Sequence, residues 1–183
     1  DPNNGFAGAA VNVSVSHTPI LFPAGSNSSS TQTPNYVAVI GQLTWEQSSA
    51  YCSARGGSLA SVTSAADESS LHAVLEASGV DRAWLGGNDR HTDGTWVWER
   101  DGLTLPPTAA AHLSYANWGN DQPNNYGGNE DCMRVTMVTD GSVAARTWMD
   151  KSCGNDGAFV CQYEPLSPPS PPPAPLSPPS PPP

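Results

Sequence analysis

Four cysteines constrain the fold of this chain more than any other feature of its sequence; they stand at positions 52, 132, 153 and 161. None forms a Cys-x-x-Cys pair, and no pair of histidines lies beside them, so a zinc knuckle or a thioredoxin-like redox site is poorly supported. An even number of cysteines instead predicts two disulfides. Four cysteines allow three connectivities, and the spacing alone does not choose among them.

The N-terminal residues 1–34 also point to an oxidising, secretory route. Asn-x-Ser sequons begin at Asn12 and Asn27 and predict N-glycosylation there. Asp1 stands where an unprocessed chain has Met, which favours removal of a signal segment. Residues 11–15 alternate Val with polar residues as in an edge strand, and a glycosylated leader with little structure is the alternative. We therefore expect a glycosylated N-terminal extension on a secreted protein.

Proline is concentrated at the C-terminal end, where residues 165–183 hold 12 of the 19 prolines and otherwise only Ser, Leu and Ala. Because proline has a fixed φ and no amide donor, this tail is predicted to be a polyproline II segment about 59 Å long. Its Ser-Pro repeats resemble the hydroxyproline-rich glycoproteins of plant and green-algal walls, which implies a stiff, glycosylated stalk in a cell wall or extracellular matrix. A ligand for a proline-reading module is the alternative. The resemblance implies hydroxyproline or O-glycan at Pro168, Pro169, Pro171, Pro172, Pro173, Pro178, Pro179, Pro181, Pro182 and Pro183.

Charge and length bound the class of the remaining residues, 1–164. The chain has 17 acidic and 7 basic side chains and a formal net charge of −10, all of it outside the tail. This excludes a basic surface for nucleic acid. No run of 18 or more apolar residues occurs, so no membrane span is predicted. The length of this part fits one globular domain.

A strand and a helix are predicted where the globular part begins. Residues 36–40 are apolar and partly β-branched, as in a strand. Thr44 and Gln47, three residues apart, form a capping-box signature. The predicted helix continues through Arg55 and ends at Gly56-Gly57.

A second helix and several short strands follow. Ser64 is the predicted N-cap, with Asp67 in the first turn, and apolar residues at 71, 74 and 75 give the stripe of a core-facing helix. Strands are predicted at residues 83–86, 95–99 and 133–138. Helices first and then an irregular antiparallel sheet indicate the α+β class.

A long polar loop, residues 117–131, lies between the predicted strands. It contains few side chains suited to a core, and long loops in small domains are usually functional or disordered. Its amides and carboxylates supply many of the hard oxygen ligands that calcium prefers.

Several motifs taken together resemble the C-type lectin-like domain over residues 35–164. They are Trp84-Leu85-Gly86-Gly87, Gly94-Thr95-Trp96-Val97-Trp98, Trp118 ahead of Gln122-Pro123-Asn124, Glu130-Asp131-Cys132, and Trp148-Met149-Asp150 before Cys153 and Cys161. The resemblance implies disulfides Cys52 to Cys161 and Cys132 to Cys153, and a double-loop fold whose long loop holds calcium and sugar. It also implies that Trp84, Trp96, Trp98 and Trp118 are core and loop-anchoring residues.

The resemblance implies a principal calcium site at Gln122, Asn124, Glu130, Met149 and Asp150, with a cis peptide bond before Pro123. Four of these five residues carry a suitable oxygen. Met149 is the departure, because a thioether is a soft, weak acceptor that does not replace an amide oxygen on calcium. We therefore expect calcium affinity at this site to be weakened or lost.

An auxiliary calcium site is implied at Asp89, Asp93, Asn125, Glu130 and Asp131, all of which carry oxygen. A solvated acidic turn is the alternative interpretation of these residues. For sugar, the resemblance implies hydrogen bonds from Gln122, Asn124 and Glu130. Gln122-Pro123-Asn124 mixes the family's mannose-type and galactose-type sequences, so no monosaccharide is predicted. Tyr126 at the loop tip is a candidate stacking residue, or one that folds back over the loop.

No catalytic motif is present, and we expect no enzyme: the sequence has no Gly-x-Ser-x-Gly, His-Glu-x-x-His or phosphate-binding Gly loop. The sequence therefore favours a secreted, calcium-dependent carbohydrate-binding module on a stiff stalk. Its expected partners are glycans or wall and matrix glycoproteins. The alternative is a structural subunit of an extracellular matrix or fibre that uses the lectin-like fold for protein contacts or self-association.

Overall fold

A computed structural model describes residues 35–100 and 115–164. The predictions for Asn12, Asn27, residues 11–15 and the proline tail lie outside these described residues. Within them the chain forms strands, helices and one 3-10 turn in the order β1 (Asn35–Leu43), α1 (Trp45–Ser53), β2 (Ser58–Leu59), α2 (Ala65–Ser78), β3 (Arg82–Asn88), β4 (Val97–Trp98), the 3-10 turn (Tyr126–Gly128), β5 (Cys132–Thr136), β6 (Thr147–Lys151) and β7 (Gly157–Tyr163).

The first helix begins at the predicted capping box. Gln47 N donates to Thr44 Oγ1 at 3.3 Å, and Thr44 N donates to Gln47 Oε1 at 3.1 Å. The helix ends at Ser53, two residues earlier than predicted. The amides that follow bond as turns, and the chain reverses at Gly56, whose φ is +75°.

The second helix begins at its predicted N-cap, and a glycine ends it. Asp67 N donates to Ser64 Oγ at 3.1 Å, and Gly79 ends the helix in the left-handed region with φ +65°. Leu71 and Leu75 are fully buried against the sheet, whereas Val74 is partly buried at the edge of the same cluster. This stripe fixes α2 on one face of the sheet. No helix among the described residues has the length and apolar character needed to cross a membrane.

The strands form one sheet with the order β1-β7-β3-β5-β6, with β2 paired to β7 and β4 to β3. All pairings are antiparallel, as predicted, except β3 with β7, which run parallel. Parallel neighbours need a long connection between them, and the chain from Asp89 to Asp156 supplies it. Of the predicted strand at 95–99, only the two residues of β4 are in a strand. The side chains of β5 are buried on both faces of the sheet, so burial does not alternate along this strand.

The disulfides join Cys52 to Cys161 and Cys132 to Cys153, which confirms the pairing implied by the family resemblance. The first bond ties α1 to β7. The second ties the start of β5 to the segment just after β6. The long loop therefore enters β5 at a covalently fixed point.

Tryptophans build the core next to the long loop. Trp84, Trp96 and Trp98 are buried, and Trp118 is partly buried. The Trp118 ring packs edge-on against Trp96 and against Trp148, with ring centroids 4.8 Å and 5.9 Å away. These contacts agree with the interpretation of the tryptophans as core and anchoring residues. They hold the start of the long loop on the sheet.

Candidate binding site in the long loop

The side chain of Asp150 on β6 holds the long loop by hydrogen bonds. Its side chain is fully buried (0% exposed). The carboxylate accepts from Asn124 N at 3.0 and 3.1 Å and from Asn125 N at 2.5 Å. Gln122 Oε1 in turn accepts from Asp150 N at 3.3 Å. A buried carboxylate needs such donors, so its negative charge is balanced by backbone amides of the loop.

The loop reverses direction next to this anchor. The Gln122-Pro123 peptide bond is cis, as the resemblance implied. Asn125 lies in the left-handed region at φ +44°, and the 3-10 turn that follows contains Gly127 and Gly128 at φ +76° and +73°. These two positive φ values favour glycine, which explains the Gly-Gly at the tip.

Glu130 anchors the other end of the loop. Its Oε2 accepts from Tyr126 N at 3.3 Å, and Asn124 Oδ1 accepts from the same amide at 2.9 Å. Glu130 N donates to Asn125 Oδ1 at 3.1 Å. The remaining carboxylate oxygen, Oε1, lies 3.1 Å from the ammonium of Lys151. Every side-chain oxygen named here already has a donor within the protein.

The principal positions do not fit calcium in this arrangement. Calcium takes 6 to 8 oxygens. The oxygens of Gln122, Asn124, Glu130 and Asp150 are engaged by amides or by Lys151, and Met149 brings a thioether. Met149 is also buried, with 3% of its surface exposed. Within the described residues no group of three or more His, Cys, Asp or Glu side chains is arranged to hold a metal.

The auxiliary positions offer a better donor for a cation. Asp89 follows β3 and is 4% exposed. Its Oδ2 accepts from Gly94 N at 2.8 Å, but its Oδ1 is buried without a hydrogen-bond partner. Burial raises the pKa of this carboxyl, the Gly94 hydrogen bond opposes the rise, and the charges of Asp131 and Asp93 add to it. An orphaned, buried carboxylate oxygen near two further carboxylates is chemically suited to a hard cation.

A hydrogen bond links these auxiliary positions to the long loop. Asp93 Oδ1 accepts from Asn125 Nδ2 at 3.0 Å, and Asp89 N donates to the backbone carbonyl of Asp131 at 3.1 Å. Asp89, Asp93 and Asp131 therefore surround one region, although they do not converge as a finished metal cage. Asn125 and Glu130, the other implied ligands, are engaged within the loop.

The tip of the loop exposes an aromatic ring. Tyr126 is 79% exposed, so it does not fold back over the loop. Asn124 beside it is also exposed. Among the described residues, Tyr126 and Ile40 are the large hydrophobic side chains that are exposed. Gln122 Nε2 and Asn124 Nδ2 have no acceptor within these residues, so both can donate to a ligand.

Two residues that support the site have no role predicted from the sequence. Lys151 pairs with Glu130, and its one sequence signal is that it is the chain's single lysine. Glu68 on α2 is buried and accepts from Trp148 Nε1 at 3.2 and 3.1 Å, which fixes β6 against α2. These contacts span 21 and 80 residues of sequence, and no local pattern indicates them.

Comparison with known proteins identifies the domain type. The family model described as Lectin C-type domain matches residues 41–163. Collectin-11 of Danio rerio is 28% identical over 130 residues, which cover 70% of this chain and 42% of that protein. Ladderlectin of Oncorhynchus mykiss is 32% identical over 113 residues, covering 61% of this chain and 52% of that protein. The chain thus spans about half the length of these curated relatives.

A solved structure shows the same fold. The crystal structure of the C-type lectin CEL-I from Cucumaria echinata superimposes with a TM-score of 0.59 at 22% identity, covering 73% of this chain and 92% of that chain. This likeness confirms the α+β double-loop architecture predicted for residues 35–164.

Replacing Asp150 tests whether this carboxylate holds the loop. Asp150→Ala leaves the amides of Asn124 and Asn125 without their acceptor in a buried setting, so we expect the free energy of unfolding to fall by about 1–3 kcal/mol. Urea denaturation measures this change. Asp81→Ala, which removes an exposed carboxylate, is the control and should change stability by less than about 0.5 kcal/mol. Equal effects of the two variants would contradict the anchoring role.

Proposed function

Since the chain belongs to the C-type lectin domain family, we propose that it is an extracellular glycan-binding module that presents the tip of its long loop to the ligand. The observation that carries this proposal is the exposed ring of Tyr126 on a turn whose backbone amide is hydrogen-bonded to Glu130. An exposed tyrosine offers an apolar face for the C–H face of a sugar and a hydroxyl for hydrogen bonding.

The polar groups around Tyr126 supply the donors for sugar hydroxyls. The side-chain NH2 groups of Gln122 and Asn124 are available, while their oxygens are bound to Asp150 N and Tyr126 N. Glu130 is buried and engaged by Lys151, so in this proposal it supports the loop and does not contact sugar. The ligand surface therefore consists of Gln122, Asn124 and Tyr126.

Calcium enters the proposal at the auxiliary positions. We propose that Asp89, Asp93 and Asp131 hold it, with the unpartnered Oδ1 of Asp89 as one ligand. Bound there, calcium would offset most of the negative charge of these three carboxylates and brace the segment that Asp93 links to Asn125. Calcium dependence of glycan binding would then act through the side chain of Asn125, while the backbone amides of the tip stay bonded to Asp150.

An extracellular setting and a binding role complete the proposal. Two disulfides within one small domain favour an oxidising compartment. The matching family and the relatives described above are lectins or collectins by name, and none is an enzyme by name. The proposed stalk, residues 165–183, would hold the module away from a wall or matrix.

A second candidate is a structural subunit that binds protein and not sugar. The specific observation in its favour is the principal site: Met149 is buried and the neighbouring oxygens are already hydrogen-bonded within the protein. A loop surface without calcium-coordinated sugar is compatible with protein contact. Matrix proteins and a second copy of this chain are the partners that this candidate implies.

Substituting Tyr126 separates these functions. Tyr126→Ala should lower glycan affinity by about tenfold or more, because packing of the sugar's C–H face on the aromatic ring is lost. The unfolding midpoint should stay unchanged, since the side chain is exposed. A glycan array with calcium and with chelator measures binding. Ile40→Ala, an exposed apolar residue on β1, is the matched control and should bind as the parent protein does. Absence of glycan binding by the parent protein in both conditions would overturn the lectin proposal.

Asp89→Asn tests the proposed calcium position. Calcium at 100 times its dissociation constant should stabilise the parent protein by about 2.7 kcal/mol, because it binds the folded state alone. Asp89→Asn removes the charged ligand, and its unfolding temperature should not respond to calcium. Thermal unfolding with and without chelator gives the comparison, and Asp81→Asn is the control that should retain the response. A full calcium response in Asp89→Asn would contradict the assignment.

A further inference from the structure

Lys151 is the only lysine in the 183 residues of the chain. It ends β6, next to the loop anchor Asp150, and its Nζ lies 3.1 Å from Oε1 of Glu130. The Lys151 side chain is 28% exposed and that of Glu130 is 9% exposed. A buried carboxylate requires a compensating charge or donor, and this ammonium supplies it.

Hydrogen-bond donors are thus provided for both carboxylates at the principal calcium positions. Asp150 receives the backbone amides of Asn124 and Asn125. Glu130 receives the ammonium of Lys151 and the amide of Tyr126. Glu130 therefore has one full positive charge beside it, and both oxygens of Asp150 are hydrogen-bonded by backbone amides.

The side-chain oxygens at the neutral positions are also engaged by donors of the chain. Gln122 Oε1 and Asn124 Oδ1 accept backbone amides at 3.3 Å and 2.9 Å. Met149 carries sulfur, which is a poor ligand for a hard cation. A divalent ion would have to share these oxygens with their donors and compete with the lysine for Glu130, without gaining a full oxygen shell.

We propose that the ammonium of Lys151 replaces calcium at the principal site, so that the tip of the long loop keeps its conformation without a metal there. Residues 122–130 are then fixed by charges that belong to the chain itself. The inference concerns the loop conformation. It rests on the proposed function in one respect: ligand binding at the tip should survive removal of calcium from the principal positions.

The single lysine makes this proposal directly observable. Reductive methylation of the full chain with ¹³C-formaldehyde labels Lys151 and the α-amino group, which gives two NMR signals; the Lys151→Arg variant, lacking the labelled side chain, assigns them. The titration uses an Asp89→Asn background to remove the auxiliary position, and the probe is calcium chloride. We expect the Lys151 signal to stay constant to about 10 mM calcium. A saturable shift of that signal, with the α-amino signal unchanged, would overturn the proposal.

Substitution of the lysine provides the second measurement. Lys151→Met leaves the carboxylate of Glu130 without its cation, so limited proteolysis within residues 122–130 should become about tenfold faster, and calcium should not restore protection. Lys151→Arg keeps the charge and should be protected like the parent protein. Arg82→Met removes an exposed ion pair with Asp140 and is the matched control for loss of a cation. Unchanged protection in Lys151→Met, or restoration by calcium, would overturn the proposal.

A gain-of-function variant tests the replacement itself. In the Asp89→Asn background, Met149→Asn combined with Lys151→Met restores an amide oxygen and removes the competing ammonium. Calorimetry should then detect one bound calcium, whereas the Asp89→Asn protein alone should bind none. Calcium binding by Asp89→Asn alone would overturn the inference. If the parent protein binds no glycan while the NMR signal of Lys151 stays constant during the calcium titration, the proposed function is refuted and this inference stands.

Discussion

The hydrogen bonds between the buried carboxylate of Asp150 and the amides of Asn124 and Asn125 are the contacts on which the candidate site depends. The long loop has no strand pairing of its own between the anchored Trp118 and β5, so its backbone donors need acceptors from elsewhere. Asp150 supplies them from a buried position on β6. The position of Asp150 is in turn fixed by pairing of β6 with β5 and by the contact of Trp148 with Glu68.

The rest of the loop is organised around this contact. Trp118 holds the incoming end against two tryptophans, and the disulfide of Cys132 holds the outgoing end. Glu130 and Lys151 close the inner side of the turn, while Tyr126 is left on the outer side. Buried polar groups thus specify the conformation of an exposed ring, which is the arrangement that a recognition surface requires.

The sequence predicts those features that rest on local chemistry or on strongly patterned motifs. N-cap signals are local, so the sequence predicts the starts of both helices where they occur, and the first helix ends two residues before its predicted end. The disulfide pairing and the α+β fold followed from the lectin-like motifs, which also placed Gln122 to Asp150 around one loop. The parallel pairing of β3 with β7 and the contacts of Lys151 and Glu68 were not predicted, because each joins residues that are distant in sequence. Likewise, the residue types at the principal positions suggested ligands, and only their hydrogen-bond partners reveal that those oxygens are engaged.

In this proposal the chain's own charges and amides, and not calcium at the principal positions, hold the tip of the long loop. Hydrogen exchange at the amides of Asn124 and Asn125 tests it most directly, because both amides donate to Asp150. Measured in the parent protein with excess chelator, both amides should remain strongly protected, at a level close to that of the neighbouring β6 amides. Exchange at the rate of an unstructured peptide in chelator, with protection appearing only when calcium is added, would show that calcium holds the loop tip instead.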